Sequence, residues 1–184
     1  MAIAEQTRAS VAYHEAGHAV ADCRHGFDLF WVTVQPKGDY AGKNEGAGSW
    51  WTPEEAEQRL VGLYAGYAAQ RRSDPDQSDT LARSGASGDF DKAADILRWL
   101  HPDATDAELQ RLQNEWIAQA QTFVNDERNW GAIDALAEEL LEHEELDGDE
   151  IELVIALADG DPAAAEALAR YRGLKAAAAE RNRG

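Results

Sequence analysis

The run His14-Glu15-Ala16-Gly17-His18 sets two imidazoles four residues apart with a carboxylate between them. On a helix, positions four apart share a face, so His14 and His18 project together. Two imidazole nitrogens so placed hold one zinc ion at about 2.0–2.1 Å each. Neutral ligands leave the zinc positive, and that charge lowers the pKa of a bound water towards about 7. Glu15 follows His14 on the helix and reaches the open side of such a metal, where a carboxylate serves as general base. H-E-x-x-H on a helix is the pattern of zinc-dependent peptide hydrolysis. The competing reading makes both histidines ordinary helix-surface residues. Against it, two of the five histidines in the chain fall within this one motif.

The elements that must position this motif can be read outward from it. Residues 7–25 read as one helix, with Gly26 as its stop. Gly17 inside that helix costs about 1 kcal/mol relative to alanine, which marks a close approach by another segment. Residues 30–35 are β-branched and aromatic and read as a strand, ended by Pro36-Lys37-Gly38. Residues 39–48 read as a loop and 49–52 as a short second strand, completing a hairpin. Thr52 then suits an N-cap, Pro53 a first helical position, and Glu54 and Glu55 the positive start of a helix that runs to residue 70 or 72. Its Gly62, Ala65, Gly66, Ala68 and Ala69 form a small-residue face against which a second backbone can pack. Residues 71–87 read as a loop. Further helices are expected over 88–100, 103–124, 129–143 and 147–157. Leu109, Leu112, Trp116 and Phe123 mark the apolar stripe of the second of these, and Ile133, Leu136, Leu140 and Leu141 that of the third. The expected class is mainly α (α+β), a helical domain over 1–158 with a small β hairpin or sheet after the histidine helix. An Ala-rich tail over 159–184 follows, helical but loosely docked or frayed.

Composition narrows the partners. The chain has 184 residues, 17 basic and 35 acidic, for a formal net charge of −18. Nucleic acid and anionic membranes repel such a surface, so neither is expected as a partner. Cys23 is the only cysteine, which excludes an intrachain disulfide and fits a reducing compartment. It reads as a small core residue of the motif helix rather than a nucleophile. No apolar run approaches the ~18–20 residues of a membrane span, and residues 1–10 carry no apolar signal region. A cytoplasmic location is the resulting expectation.

Catalytic zinc takes three protein ligands and keeps one position open. The metzincin extension requires Gly and His where this chain has Ala21 and Arg24, so that class is excluded. His25 reads as a helix-end residue, where the dipole favours a cation. Glu54 and Glu55 are accounted for by the helix start. Asp79, Asp89, Asp91 and Asp95 are then the carboxylates available, and the residues alone do not choose between Asp89 and Asp91.

Five segments, in order, resemble the peptidase domain of the FtsH family of ATP-dependent zinc peptidases. They are Ala12-Tyr13-His14-Glu15-Ala16-Gly17-His18-Ala19, Val32-Thr33-Val34-Gln35-Pro36-Lys37-Gly38, Leu63-Tyr64-Ala65-Gly66-Tyr67-Ala68-Ala69, Gly85-Ala86-Ser87-Gly88-Asp89-Phe90, and the stretch from Ile133 to Glu142 with Glu145 to Ile151. The resemblance spans roughly residues 10–153. It implies zinc on His14, His18 and Asp89, with Glu15 as base. Gly88 stands where the family has asparagine. The family's membrane spans and ATPase module have no counterpart here, and no G-x-x-x-x-G-K-[ST] loop is present.

The function expected is a zinc endopeptidase without intrinsic ATPase, acting on unfolded or loosely folded polypeptide, either alone or fed by a separate ATPase. Further copies of the chain are a second expected partner through the resemblance. The strand 31–35 is a candidate edge for an extended substrate, with plain core packing as the competing reading. Asp91 and Asp95 are candidates to support a ligand from behind. The alternative function is a non-catalytic zinc-binding adaptor or regulator. It is disfavoured by Glu15, which a structural site does not need, and by the preference of structural zinc for four protein ligands. An exopeptidase would need groups that grip a chain terminus, and none is legible.

Overall fold

Thr7 opens the first helix because its hydroxyl accepts a hydrogen bond from the Ser10 amide, one of the free N–H groups at a helix start. The computed structural model, which describes residues 7–35, 43–46 and 52–181, places this helix, α1, over Arg8–Arg24. His25 caps it, and Gly26 turns the chain away with φ +77°. The second helix, α2, spans Pro53–Ser73 and begins with a reciprocal capping box between Thr52 and Glu55. Both starts follow the sequence reading.

α1 and α2 pack along each other, and the small residues are the reason they can. A Cβ on Gly17 would stand 2.6 Å from the Ala65 carbonyl oxygen, so the two backbones touch there. The close approach expected at Gly17 is this one, and the small-residue face of α2 receives it. Around the pair lie α3 (Asp79–Gly85), α4 (Ser87–Leu100), α5 (Asp106–Asn125) and α6 (Glu127–His143), with α5 against α2 and α6 against α1. α7 (Gly148–Ala158) packs on α6, and α8 (Ala164–Arg181) packs on α7. The chain is mainly helical, as expected. In α6, Ile133, Leu136 and Leu140 are fully buried. In α5 the buried face is Ile117, Ala120 and Val124, and the expected stripe residues Leu109, Leu112, Trp116 and Phe123 flank it half-buried.

Three short strands form one antiparallel sheet in the order β2 (Lys43–Gly46), β1 (Leu29–Thr33), β3 (Glu145–Asp147). Two sequence expectations change here. Lys43–Gly46 was expected to be loop, yet it pairs with β1. Its polar, Gly-ended sequence has weak strand preference, and the ladder offered by β1 supplies what local propensity lacks. β1 itself is central. Trp31, Val32 and Thr33 pair with β2 on one side and with Asp147, Leu146 and Glu145 on the other. Val34 N then donates to the Glu144 carbonyl. The strand 31–35 therefore has no free edge for a substrate. The expected strand over 49–52 lies outside the described residues, except Thr52, which is the cap of α2.

The stretch 71–87, expected to be loop, contains α3. Ser78 caps it through the Leu81 amide, Arg83 pairs with Asp79 one turn back, and the Tyr67 hydroxyl donates to Asp79. Cap and tertiary contacts hold a helix too short to show a periodic stripe. The tail is helical as expected, and it is tied down: Ala164 and Leu168 are buried, while Arg172 and Lys175 pair with Glu150. No helix among the described residues is long and apolar enough to cross a membrane.

Candidate metal centre

His14 and His18 lie on the α1 face that meets α2, and both are buried. Asp89 comes from the first turn of α4, where the helix start favours a carboxylate. α3 and α4 meet at buried Ala86, whose backbone leaves the helical region at φ −93°, ψ 10°, and Asp89 three residues on faces α1. The three side chains converge. His14 Nε2 and His18 Nε2 are 3.0 Å apart, and each is 3.2 Å from Asp89 Oδ2. His18 reaches this point because residue 66 has no side chain: a Cβ on Gly66 would lie 2.4 Å from His18 Nε2.

The ring nitrogens on the far side decide the chemistry of the near side. His14 Nδ1 is 3.2 Å from Gln70 Oε1, and His18 Nδ1 is 2.8 Å from the Gly62 carbonyl. Both oxygens only accept, so both Nδ1 atoms carry the proton. In the neutral rings each Nε2 is then a lone pair. Two lone pairs and a carboxylate oxygen face one another within 3.2 Å with no donor among them. A cation fits that arrangement. Ligands about 2.0–2.1 Å from a tetrahedral zinc stand about 3.3 Å from each other, close to the spacing present. The donor set, two imidazoles and a carboxylate, is one zinc takes when it keeps a fourth position open. His14, His18 and Asp89 are the one such grouping among the described residues.

Electrostatics follow the same geometry. Burial alone would lower the pKa of His18, but the facing Asp89 carboxylate outweighs it and pushes His18 up to about 9. Burial alone would raise Asp89, but His18 and His14 hold its carboxyl well below the usual range. The Lys92 ammonium stands 3.6 Å from the other Asp89 oxygen. Glu15 is 6% exposed and takes no hydrogen bond among the described residues. Burial pushes its carboxyl above the ordinary value, with the two histidines pulling the other way.

The remaining candidates lie elsewhere. Asp79 is held by Tyr67 and Arg83. Asp91 and Asp95 are exposed, and Asp95 pairs with Arg98. The groups that support the histidines are Gln70 and the Gly62 carbonyl instead. Sequence reasoning did not single out Gln70; its one signal was an amide closing an otherwise apolar face of small residues. His25 stacks on Phe123 at the end of α1, and burial lowers its pKa. Cys23 packs half-buried against the core, and burial pushes its thiol up to about 12, away from nucleophilic use. No family model matches the chain, and no curated protein matches it.

Proposed function

We propose that this chain is a zinc-dependent endopeptidase related to the FtsH peptidase domain, with zinc on His14, His18 and Asp89. The observation that carries the reading is the convergence of three lone-pair atoms beside a buried glutamate that has no hydrogen-bond partner among the described residues. Zinc, when bound, supplies Lewis acidity, polarising a scissile carbonyl and acidifying water.

The chain's own residues do the rest. Glu15 takes a proton from the attacking water at its carboxylate and returns it to the leaving amine. Burial favours the protonated form of Glu15, which suits the second half of that exchange. Asp89 brings one negative charge to the cluster, and Lys92 beside its outer oxygen offsets part of it. The peptide does not lie along β1, which is paired on both sides. Among the described residues the outer strands of the sheet are β2 and β3, and an extended substrate would add beside β2 as a further strand. Substrates are unfolded or loosely folded polypeptides, presented freely or by a separate ATPase. The adaptor reading has no observation in its favour, since a structural site closes zinc with four protein ligands and needs no base, whereas three ligand atoms converge here beside Glu15.

The test is removal and return of the metal. Casein fragmentation by the purified chain should stop after treatment with a chelator and resume on adding zinc. Fragmentation that survives complete zinc removal would overturn the reading.

A further inference from the structure

A chain of side-chain hydrogen bonds runs outward from the metal centre through two amides. His14 Nδ1 donates to Gln70 Oε1, Gln70 Nε2 donates to Gln77 Oε1 at 2.7 Å, and Gln77 Nε2 donates to Ser10 Oγ at 3.1 Å. Gln70 is fully buried and Ser10 nearly so. The chain joins α1, α2 and the connection between α2 and α3, the segment that leads on to Asp89.

A primary amide has an acceptor end and a donor end, and the two cannot be exchanged without consequence. Gln77 Oε1 accepts from Gln70 Nε2 and Gln77 Nε2 donates to Ser10 Oγ, and in that arrangement Gln70 turns its own oxygen towards His14. Were the amide of Gln70 reversed, its NH2 would face His14 Nδ1 and its oxygen would face the oxygen of Gln77. His14 would then have to accept at Nδ1 and carry its proton on Nε2, the atom that faces His18 and Asp89. The orientation of one amide therefore selects the tautomer of the histidine.

We infer that Gln70 is a positioning residue for the metal centre: oriented by Gln77, it holds His14 in the tautomer that leaves Nε2 free for the metal. This rests on the zinc reading above. An amide performs the task without charge, so Asp89 remains the carboxylate that faces the two histidine Nε2 atoms.

The experiment measures zinc affinity of the full chain by competition with a chromophoric chelator, with the visible spectrum of the cobalt-substituted protein alongside. The proteins are wild type, Gln70→Leu, Gln70→Glu and Gln77→Leu, each checked for fold by circular dichroism. Gln70→Leu should bind zinc about 10–100-fold more weakly, the usual effect of removing such a support. Gln70→Glu should restore most of the affinity, because a carboxylate also accepts from Nδ1. Gln77→Leu should weaken binding in the same direction by a smaller factor and shift the cobalt bands. A folded Gln70→Leu that binds as tightly as wild type overturns the inference, as does a Gln70→Glu as weak as Gln70→Leu. If Gln70→Leu does not fold, unchanged affinity in Gln77→Leu overturns it. Absence of zinc binding in the wild type is a separate result, and it removes the zinc reading together with this one.

Discussion

His14 and His18 turn their Nε2 atoms towards each other across 3.0 Å while both Nδ1 atoms are tied to oxygen acceptors. Neutral imidazoles in that arrangement repel, and Asp89 Oδ2 at 3.2 Å from each adds a third acceptor. The Asp89 carboxylate favours a proton on His18 and pushes its pKa up to about 9 despite burial.

Zinc binding should therefore be coupled to pH. The sign follows from His18: below about 9 the metal-free site holds a proton that zinc must displace. Affinity should fall as pH falls, by about tenfold per unit, and level off above that value. Calorimetric titrations in buffers of different ionisation enthalpy should count about one proton released per zinc at pH 7. Uptake that releases no proton would show that His18 is already free.

Gly66→Ala and Gly17→Ala should separate metal binding from packing. At residue 66 the added methyl meets His18 Nε2, and at residue 17 it meets the Ala65 backbone oxygen. Both should cost about 1–3 kcal/mol in denaturant unfolding of the metal-free chain. Gly66→Ala should in addition lose most zinc affinity, because the ring of His18 must move, whereas Gly17→Ala should keep zinc wherever it stays folded.

Acid stability should depend on Asp159. It accepts from Arg24 at 2.6 and 2.7 Å and from Arg128 at 2.7 and 3.0 Å, joining the ends of α1 and α7 to the start of α6. Those hydrogen bonds, Arg24 first, hold its carboxyl well below the usual range. A depressed carboxylate contributes stability above its unfolded pKa of about 4, and the contribution is lost as pH falls through the folded value. Asp159→Asn should melt lower than wild type at pH 7, and the gap should close below about pH 4. A gap independent of pH would assign the effect to packing.

α8 should be anchored by one large apolar side chain, Leu168, beside the smaller Ala164, and by a set of ion pairs. Leu168 is 6% exposed, and its replacement by alanine should cost about 2 kcal/mol, the low end for a buried leucine. Hydrogen exchange should then rise along α8 while the amides of α1 and α2 stay protected.

Much of this architecture was legible because its signals are local. Thr52 with Glu55, the periodic leucines of α6 and the small residues of α2 each state their role within one or two turns. The histidine pair was legible for the same reason. What was not legible depends on neighbours distant in sequence. Lys43–Gly46 is a strand only because β1 lies beside it, and α3 is a helix because Tyr67 and Arg83 hold Asp79. β1 looked free because its second partner, β3, is a three-residue strand more than a hundred residues away. Asp89 stood level with Asp91 on the residues alone. Both lie on α4, and residues two apart on one helix stand about 200° round from each other, so the face that α4 packs inward turns Asp89 towards α1 and leaves Asp91 in solvent. Gln70 matters only through a ring on another helix, and no spacing rule reports that.

The proposed hydrolysis would require a base that does not hold the metal, and Glu15→Gln isolates it. Zinc content per chain and cleavage of casein should be measured together on wild type and Glu15→Gln. The account predicts about one zinc in both proteins, as expected of a single site, with cleavage by wild type and none by the variant. Equal cleavage by the two proteins would contradict it, and so would a wild type that holds no zinc.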